Sequence, residues 1–362
     1  MSTPSVTSAA PVSDLTRVLH LPGPFALESG EALPDVQIAY RTWGRLNAAR
    51  SNVVVVCHAL TGSADVDDWW PGLVGPGATI DTERWFVVCS NVLGGCYGSS
   101  GPFSYRTDGK RFGLGFPQIN IRDMVGAQRL LLDHLGVTYI QAVVGPSLGG
   151  MQALEWAVTD ARVGGLIAVG TSAQHSAWCI GISESQRAAI AADPAWEGGL
   201  YTDDRRPQAG LAAARMMAMV SYRSWSNFDH RFGREAGDQH DYSVASYLQY
   251  QGRKLVGRFD AASYYRLTQA MDNHDLGRGR GGSTRSVLAR ISCPSLVVSV
   301  NSDVLYPPRE QAFIADAIAN SRYEILDSEH GHDGFLIDVE PLYEMIRSFL
   351  TDAQQAKQRA TA

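Results

Sequence analysis

Gln141-Ala-Val-Val-Gly145-Pro146-Ser147-Leu148-Gly149-Gly150-Met151-Gln152-Ala153-Leu154-Glu155-Trp156 reads as a β-branched apolar run, then an abrupt G-x-S-x-G, then a helix. A serine set between a strand and a helix sits on a tight, strained turn. The glycines two residues to either side are needed because a Cβ at either place would collide with its neighbours. Such a turn lifts the Ser147 hydroxyl above the sheet and beside a helix N-terminus. Alone, G-x-S-x-G is a short pattern that ordinary strand-to-helix turns also carry; the flanking strand and helix give it meaning.

Outward from this turn the chain repeats the same alternation. Strand-like runs at 53–57, 85–90, 141–145, 166–170, Ser295–Val300 and 323–326 alternate with helical stretches at 122–135 and from 151 onward. That is the pattern of an α/β fold with a mainly parallel sheet covered by helices. The alternation breaks at 176–282, where 186–193, 209–222 and 242–255 read as helices and no comparable strand occurs. This segment reads as a helical layer inserted into one core rather than as a second domain.

The 362 residues are 45% hydrophobic and 19% charged, with a formal net charge of −6, which excludes a disordered or collagen-like chain. Mild acidity without a basic block gives no attraction to phosphate backbones or anionic lipid, so neither nucleic acid nor a membrane is an expected partner. Residues 1–14 lack the basic start and apolar stretch of a signal peptide and read as a disordered tail. No run approaches the ~18 apolar residues of a membrane span, so the expected location is the cytoplasm. Cysteines 57, 89, 96, 179 and 293, odd in number and without a C-x-x-C pair, read as reduced, buried thiols that form no zinc site.

A serine hydroxyl needs a base, and the base needs an acid to orient it. In a sheet of this kind both follow the nucleophile, acid first, each in a loop after a later strand. Ser295–Val300 leads into Asn301-Ser302-Asp303, and 323–326 leads into Asp327-Ser328-Glu329-His330-Gly331-His332-Asp333-Gly334-Phe335. Asp303 is therefore the candidate acid. His332 is the candidate base, since Gly331 and the following Asp-Gly-Phe suit a tight loop, with His330 as the fallback. For the oxyanion, backbone N–H donors are expected from Leu148, the residue after the nucleophile, and from Leu60 in the loop after the first strand.

Longer segments carry a resemblance. Cys57-His58-Ala59-Leu60-Thr61-Gly62, Trp69-Trp70 with Gly75-Pro76-Gly77, Asn91-Val92-Leu93-Gly94-Gly95-Cys96, the 145–156 turn and helix, Ser246-Tyr247-Leu248 with Gln251-Gly252, Arg258-Phe259-Asp260 and Gly331-His332-Asp333-Gly334-Phe335 resemble, in this order, the homoserine O-acyltransferases of methionine biosynthesis. The resemblance implies an α/β-hydrolase fold with a helical lid, a homodimer, and ping-pong transfer of an acyl group from a coenzyme A thioester to the γ-hydroxyl of L-homoserine. The thioester is then a substrate, and no cofactor is implied. The positions matching the family's nucleophile, acid and base are Ser147, Asp303 and His332, the three chosen above. Arg215 matches an arginine that takes the substrate carboxylate, and Asp333 an acid available to the substrate ammonium, a pairing suited to a zwitterion.

Acetyl-CoA is the expected donor and O-acetyl-L-homoserine the product, with succinyl-CoA as the alternative donor. An esterase or thioesterase using the same triad with water is the more distant alternative. Pro146 stands where many relatives carry glycine, and the loop 64–68 is short. Arg278 and Arg280 could meet coenzyme A phosphates, but a flexible lid return with solvated arginines is the expected reading. The organisation read from the sequence is a tail at 1–14, core at 15–175 and 283–350, lid at 176–282 and a C-terminal tail at 351–362.

Overall fold

The computed structural model describes residues 13–106, 108–236 and 242–361; nearly all of the expected N-terminal tail lies outside them. Eight strands form the central sheet: β1 (Arg17–His20), β2 (Gln37–Trp43), β3 (Val53–Val56), β4 (Phe86–Ser90), β5 (Ile140–Pro146), β6 (Leu166–Val169), β7 (Ser295–Val300) and β8 (Ser321–Leu326). Their spatial order is β1-β2-β4-β3-β5-β6-β7-β8. β2 runs antiparallel to β1 and β4, and the other neighbours are parallel. Parallel strands covered on both faces are continuously apolar because each alternating side chain meets a buried layer. In β3, Val53 and Val55 enter one core while Val54 and Val56 enter the other.

β2 lies outside the strands read from the sequence because two of its buried positions are polar. Gln37 is held by the Gly98 carbonyl at 2.6 Å, and Arg41 by Asp65 and Asp67, each at 2.7 Å. The Arg41 pairs also pin the short loop 64–68.

On one face, α1 (Ile121–His134) starts at a reciprocal cap in which the Asn120 side chain accepts from the Asp123 N–H and the Asp123 carboxylate accepts from the Asn120 N–H, as a capping box does. α2 (Leu148–Thr159) follows the serine and is buried over its first nine residues. Between β6 and β7 lie α3 (Ala177–Ala191), α4 (Gln208–Tyr222), α5 (Trp225–Phe232), α6 (Ser243–Val256) and α7 (Ala261–Asp272), with α4 packed between α3 and α6. α3 begins nine residues before the expected start, where the Ser176 hydroxyl caps the Cys179 N–H; exposed Trp178 and Ile180 break its apolar stripe. α5 and α7 add to the helices expected there. In α7 the buried face mixes Tyr264, Leu267 and Met271 with Ser263 and Thr268, which weakens its apolar stripe.

α8 (Thr284–Leu288), α9 (Pro308–Ala317), α10 (Gly334–Ile337) and α11 (Val339–Thr361) complete the chain. α11 runs through most of the segment expected as a C-terminal tail. The expected lid return with solvated arginines is corrected for Arg280, while Arg278 stays exposed. Arg280 forms a bidentate pair with Glu155, whose side chain is only 3% exposed, and Arg278 pairs with Glu28. A carboxylate buried in α2 needs a cation, and Arg280 supplies it, leaving this arginine engaged within the chain.

The serine turn explains its glycines. A Cβ on Gly145 would run into the Gly149 backbone, one on Gly149 into the Cys57 carbonyl, and one on Gly150 would lie 2.6 Å from the Thr171 side chain. Neither backbone obstacle can rotate away. Gly149→Ala is therefore expected to destabilise the fold by at least about 1–3 kcal/mol, the usual range for overpacking, read as a lowered midpoint in thermal or urea unfolding. An unchanged midpoint would show that α2 can move off β3 without cost.

Candidate active site

Ser147 has φ 56° and ψ −123°, a backbone conformation costing a non-glycine residue about 1–3 kcal/mol. Its N–H donates to the Val169 carbonyl at 2.9 Å, and its carbonyl accepts from the Thr171 hydroxyl at 2.8 Å. The strained residue is thus tied to the end of β6, and its side chain stands at the C-terminal edge of the sheet.

Two later strands bring the candidate acid and base to that edge. Asp303 follows β7 and accepts the Leu305 and Tyr306 N–H groups on Oδ1, at 2.8 and 2.9 Å. Its Oδ2 accepts from His332 Nδ1–H at 2.7 Å, with both side chains buried. A Cβ on Gly170 would lie 3.7 Å from both Asp303 Oδ2 and the His332 ring, so the backbone beside Ser147 abuts this pair. Among the described residues, neither Ser147 Oγ nor His332 Nε2 has a hydrogen-bond partner, and catalytic bonds of this kind often close only with substrate bound. His330 points elsewhere, accepting on Nδ1 from the Asn227 amide at 2.9 Å.

The loop bearing Leu60 is fixed by a histidine. His58 Nδ1–H donates to the Ala59 carbonyl at 2.7 Å, and Nε2 accepts the Val92 N–H at 3.1 Å; burial pushes its pKa down to about 4, so the ring is neutral. The Ala59 carbonyl also accepts from the Gly62 N–H at 2.9 Å. In a trans peptide, N–H and C=O point opposite ways. Anchoring the Ala59 oxygen therefore aims the Leu60 N–H away from His58. Among the described residues the amides of Leu60 and Leu148 have no acceptor.

The lid contributes the outer wall. Tyr222, at the end of α4, sets its ring 5.6 Å from the His332 ring; Tyr306, in the core loop after β7, adds a second ring at 5.2 Å, its hydroxyl held by His175 at 3.0 Å. Arg215 lies 5.4 Å from the Tyr222 ring centroid and forms no ion pair among the described residues. Asp333 is not a solitary carboxylate: Arg223 Nε approaches its Oδ2 at 3.1 Å. Burial raises its pKa, opposed by the positive charges of Arg223 and Arg215. Arg223 and Tyr222 are not found by sequence reasoning, since they reach the site through docking of a distant segment; Tyr306, three residues after Asp303, is also missed, as its sequence neighbourhood does not show where its ring turns.

Glu310, in the first turn of α9, has a buried Oε2 without a hydrogen-bond partner among the described residues. Burial, with a smaller contribution from Asp303, pushes its pKa from 4.5 to about 7. The folded state therefore binds this proton more tightly than the unfolded chain, and stability falls as pH rises from about 4.5 to about 7. Glu310→Gln keeps the shape without the charge. Its melting temperature minus that of the wild type is expected to be more positive at pH 8 than at pH 5; a pH-independent difference would contradict this.

Comparisons with known proteins agree with this geometry. Residues 52–338 match the family described as alpha/beta hydrolase fold. A homoserine O-acetyltransferase of Trichormus variabilis is 52% identical, covering 93% of this chain and 94% of that one. One of Chlorobaculum parvum is likewise 52% identical over 93% and 95%. Among solved structures, a homoserine O-acetyltransferase from Bacillus anthracis matches with a TM-score of 0.85 at 25% identity, over 93% of this chain and 98% of that one. Esterase E22 matches with a TM-score of 0.85 at 28% identity, over 92% and 99%. Identity near one half across nearly the whole length, on this fold, means that the chain belongs to the homoserine O-acetyltransferase family of alpha/beta hydrolases.

Proposed function

We propose that this protein transfers an acetyl group from acetyl-CoA to the γ-hydroxyl of L-homoserine, releasing coenzyme A and O-acetyl-L-homoserine for methionine biosynthesis. The observation that carries the reading is the 2.7 Å Asp303–His332 bond at the ends of β7 and β8, beside the strained Ser147.

His332 Nε2 takes the Ser147 proton as Oγ attacks the thioester carbonyl, and the Leu60 and Leu148 N–H groups receive the oxyanion. Collapse breaks the C–S bond, and the coenzyme A thiolate leaves with the proton from His332. Homoserine then gives its γ-hydroxyl proton to His332 and attacks the acetyl-serine; collapse returns the proton to Ser147 and frees the ester. Arg215, without a carboxylate partner among the described residues, takes the substrate carboxylate. Asp333, shared with Arg223, takes its ammonium. Water competes as an acceptor, so the lid must place the alcohol and exclude solvent.

The names of the relatives favour acetyl over succinyl as the acyl group. No cofactor enters the scheme. A homodimer is the proposed assembly, supported by exposed Trp178, Met217, Val220 and Trp225 on the lid. Five buried thiols support a reducing, cytoplasmic location; no described helix is long and apolar enough to cross a membrane.

The test is thiol release with acetyl-CoA or succinyl-CoA crossed with homoserine, serine or no acceptor. Release is expected to require homoserine, to be faster with acetyl-CoA, and to fall by at least about 10⁴-fold in Ser147→Ala, as when a triad nucleophile is removed. Equal release without any acceptor would identify a hydrolase, the second reading raised by the likeness to esterase E22. Arg215→Met is expected to raise KM for homoserine by about 10-fold or more, the loss of one charge-assisted contact, while the acetyl-CoA half-reaction keeps its rate. An equal slowing of both half-reactions would place Arg215 elsewhere in the mechanism.

A further inference from the structure

Arg258 lies just past α6, in the lid, yet its side chain reaches the loop after β3. Nη1 donates to the Thr61 carbonyl at 2.7 Å and to the Tyr97 hydroxyl at 2.7 Å, and Nη2 to the Thr61 hydroxyl at 3.3 Å. One planar guanidinium thus joins three segments: the lid, the Leu60 loop and the loop after β4. Among the described residues no carboxylate pairs with it. Burial pushes the Tyr97 phenol up to about 12, so that partner is neutral and the arginine charge stays uncompensated next to Thr61.

We infer that Arg258 is a positioning residue for the oxyanion donor, holding the Leu60 loop in its working geometry from the lid side. The inference rests on the reading of Ser147 as nucleophile and the Leu60 amide as donor. Two carbonyls bracket Leu60. The one before it, Ala59, is held by His58 and Gly62; the one after it, Thr61, is held by Arg258. Rotating the 59–60 peptide would break the first set of bonds, and shifting the whole turn would break the second. The inner anchor belongs to the core, while the outer one travels with the lid. The donor is therefore fully aligned only when the lid is docked. A preorganised donor acts through its fixed position, and small displacements weaken it steeply.

The experiment compares wild type, Arg258→Ala, Arg258→Lys and Ser147→Ala in single-turnover acetylation by acetyl-CoA and in steady-state turnover with homoserine, alongside thermal unfolding. An oxyanion forms in both half-reactions, so Arg258→Ala is expected to slow both by about 10- to 100-fold, short of the 10²–10³ for losing a donor outright. KM for homoserine should change by less than about 3-fold, since Arg258 touches no substrate group in this scheme. Arg258→Lys, able to hold the Thr61 carbonyl but not all three oxygens, should fall between. Added methylguanidinium should restore part of the Arg258→Ala rate. Wild-type rates in the alanine variant would overturn the inference, as would a rise confined to KM for homoserine. A slowing that tracks lowered stability without rescue would also overturn it. If the alanine variant does not fold, the lysine variant carries the same comparison. Activity surviving in Ser147→Ala would instead overturn the nucleophile reading, a result distinguishable from failure of the Arg258 inference.

Discussion

The backbone of Ser147 is the constraint around which the candidate site is organised. A non-glycine residue at φ 56° persists only where its surroundings over-determine it. Here β5 brings the chain in, α2 takes it out, β6 binds it on one side, and glycines at 145, 149 and 150 let β3 and β6 approach to contact distance. The strain holds the hydroxyl above the ends of parallel strands. The loops leaving β7 and β8 converge on that edge, because in an open parallel sheet the strand ends share one side. The proposed acid and base need only be placed in those loops to meet.

The lid completes this arrangement by docking on both sides of the serine. At one side, Gly331 lets the lid backbone come close: a Cβ there would lie 2.7 Å from Arg223 C and Ser224 N. Arg223 reaches Asp333, and the Ser224 hydroxyl bonds the Glu329 carbonyl, in the same loop as His332. At the other side, Arg258 grips Thr61. One inserted layer thereby touches the segments bearing the proposed base and the proposed oxyanion donor, and walls His332 with Tyr222. A family that must favour an alcohol over water gains from such coupling, since solvent exclusion and alignment then come from the same docking.

Much of this was legible in the sequence, for definable reasons. β3 to β7 are mostly apolar runs because both sheet faces are buried there, while the edge strand β8, Ser-Arg-Tyr-Glu-Ile-Leu, is half-exposed and shows only its apolar end; the candidates Asp303 and His332 were reachable because they follow β7 and β8 in the order that a parallel sheet imposes. β2 was hidden by Gln37 and Arg41, whose burial depends on partners far along the chain. α7 was hidden by small and polar residues that pack well. Arg280 read as solvated because nothing local reveals that Glu155, more than a hundred residues earlier, is buried against it. The same limit covers Arg223, and it covers the partners of Arg258, a residue the sequence singles out while its contact with Thr61 stays hidden: side chains that act through long-range docking leave little local periodicity.

The central claim is that Ser147 carries the acyl group between donor and acceptor. Mass spectrometry of the protein after brief exposure to acetyl-CoA without acceptor tests it most directly. One acetyl group per chain is expected, located on the peptide containing Ser147, removed on adding homoserine with formation of its O-acetyl ester, and absent in Ser147→Ala. Turnover of acetyl-CoA and homoserine with no acetyl group on Ser147 at any time, and undiminished in Ser147→Ala, would contradict it.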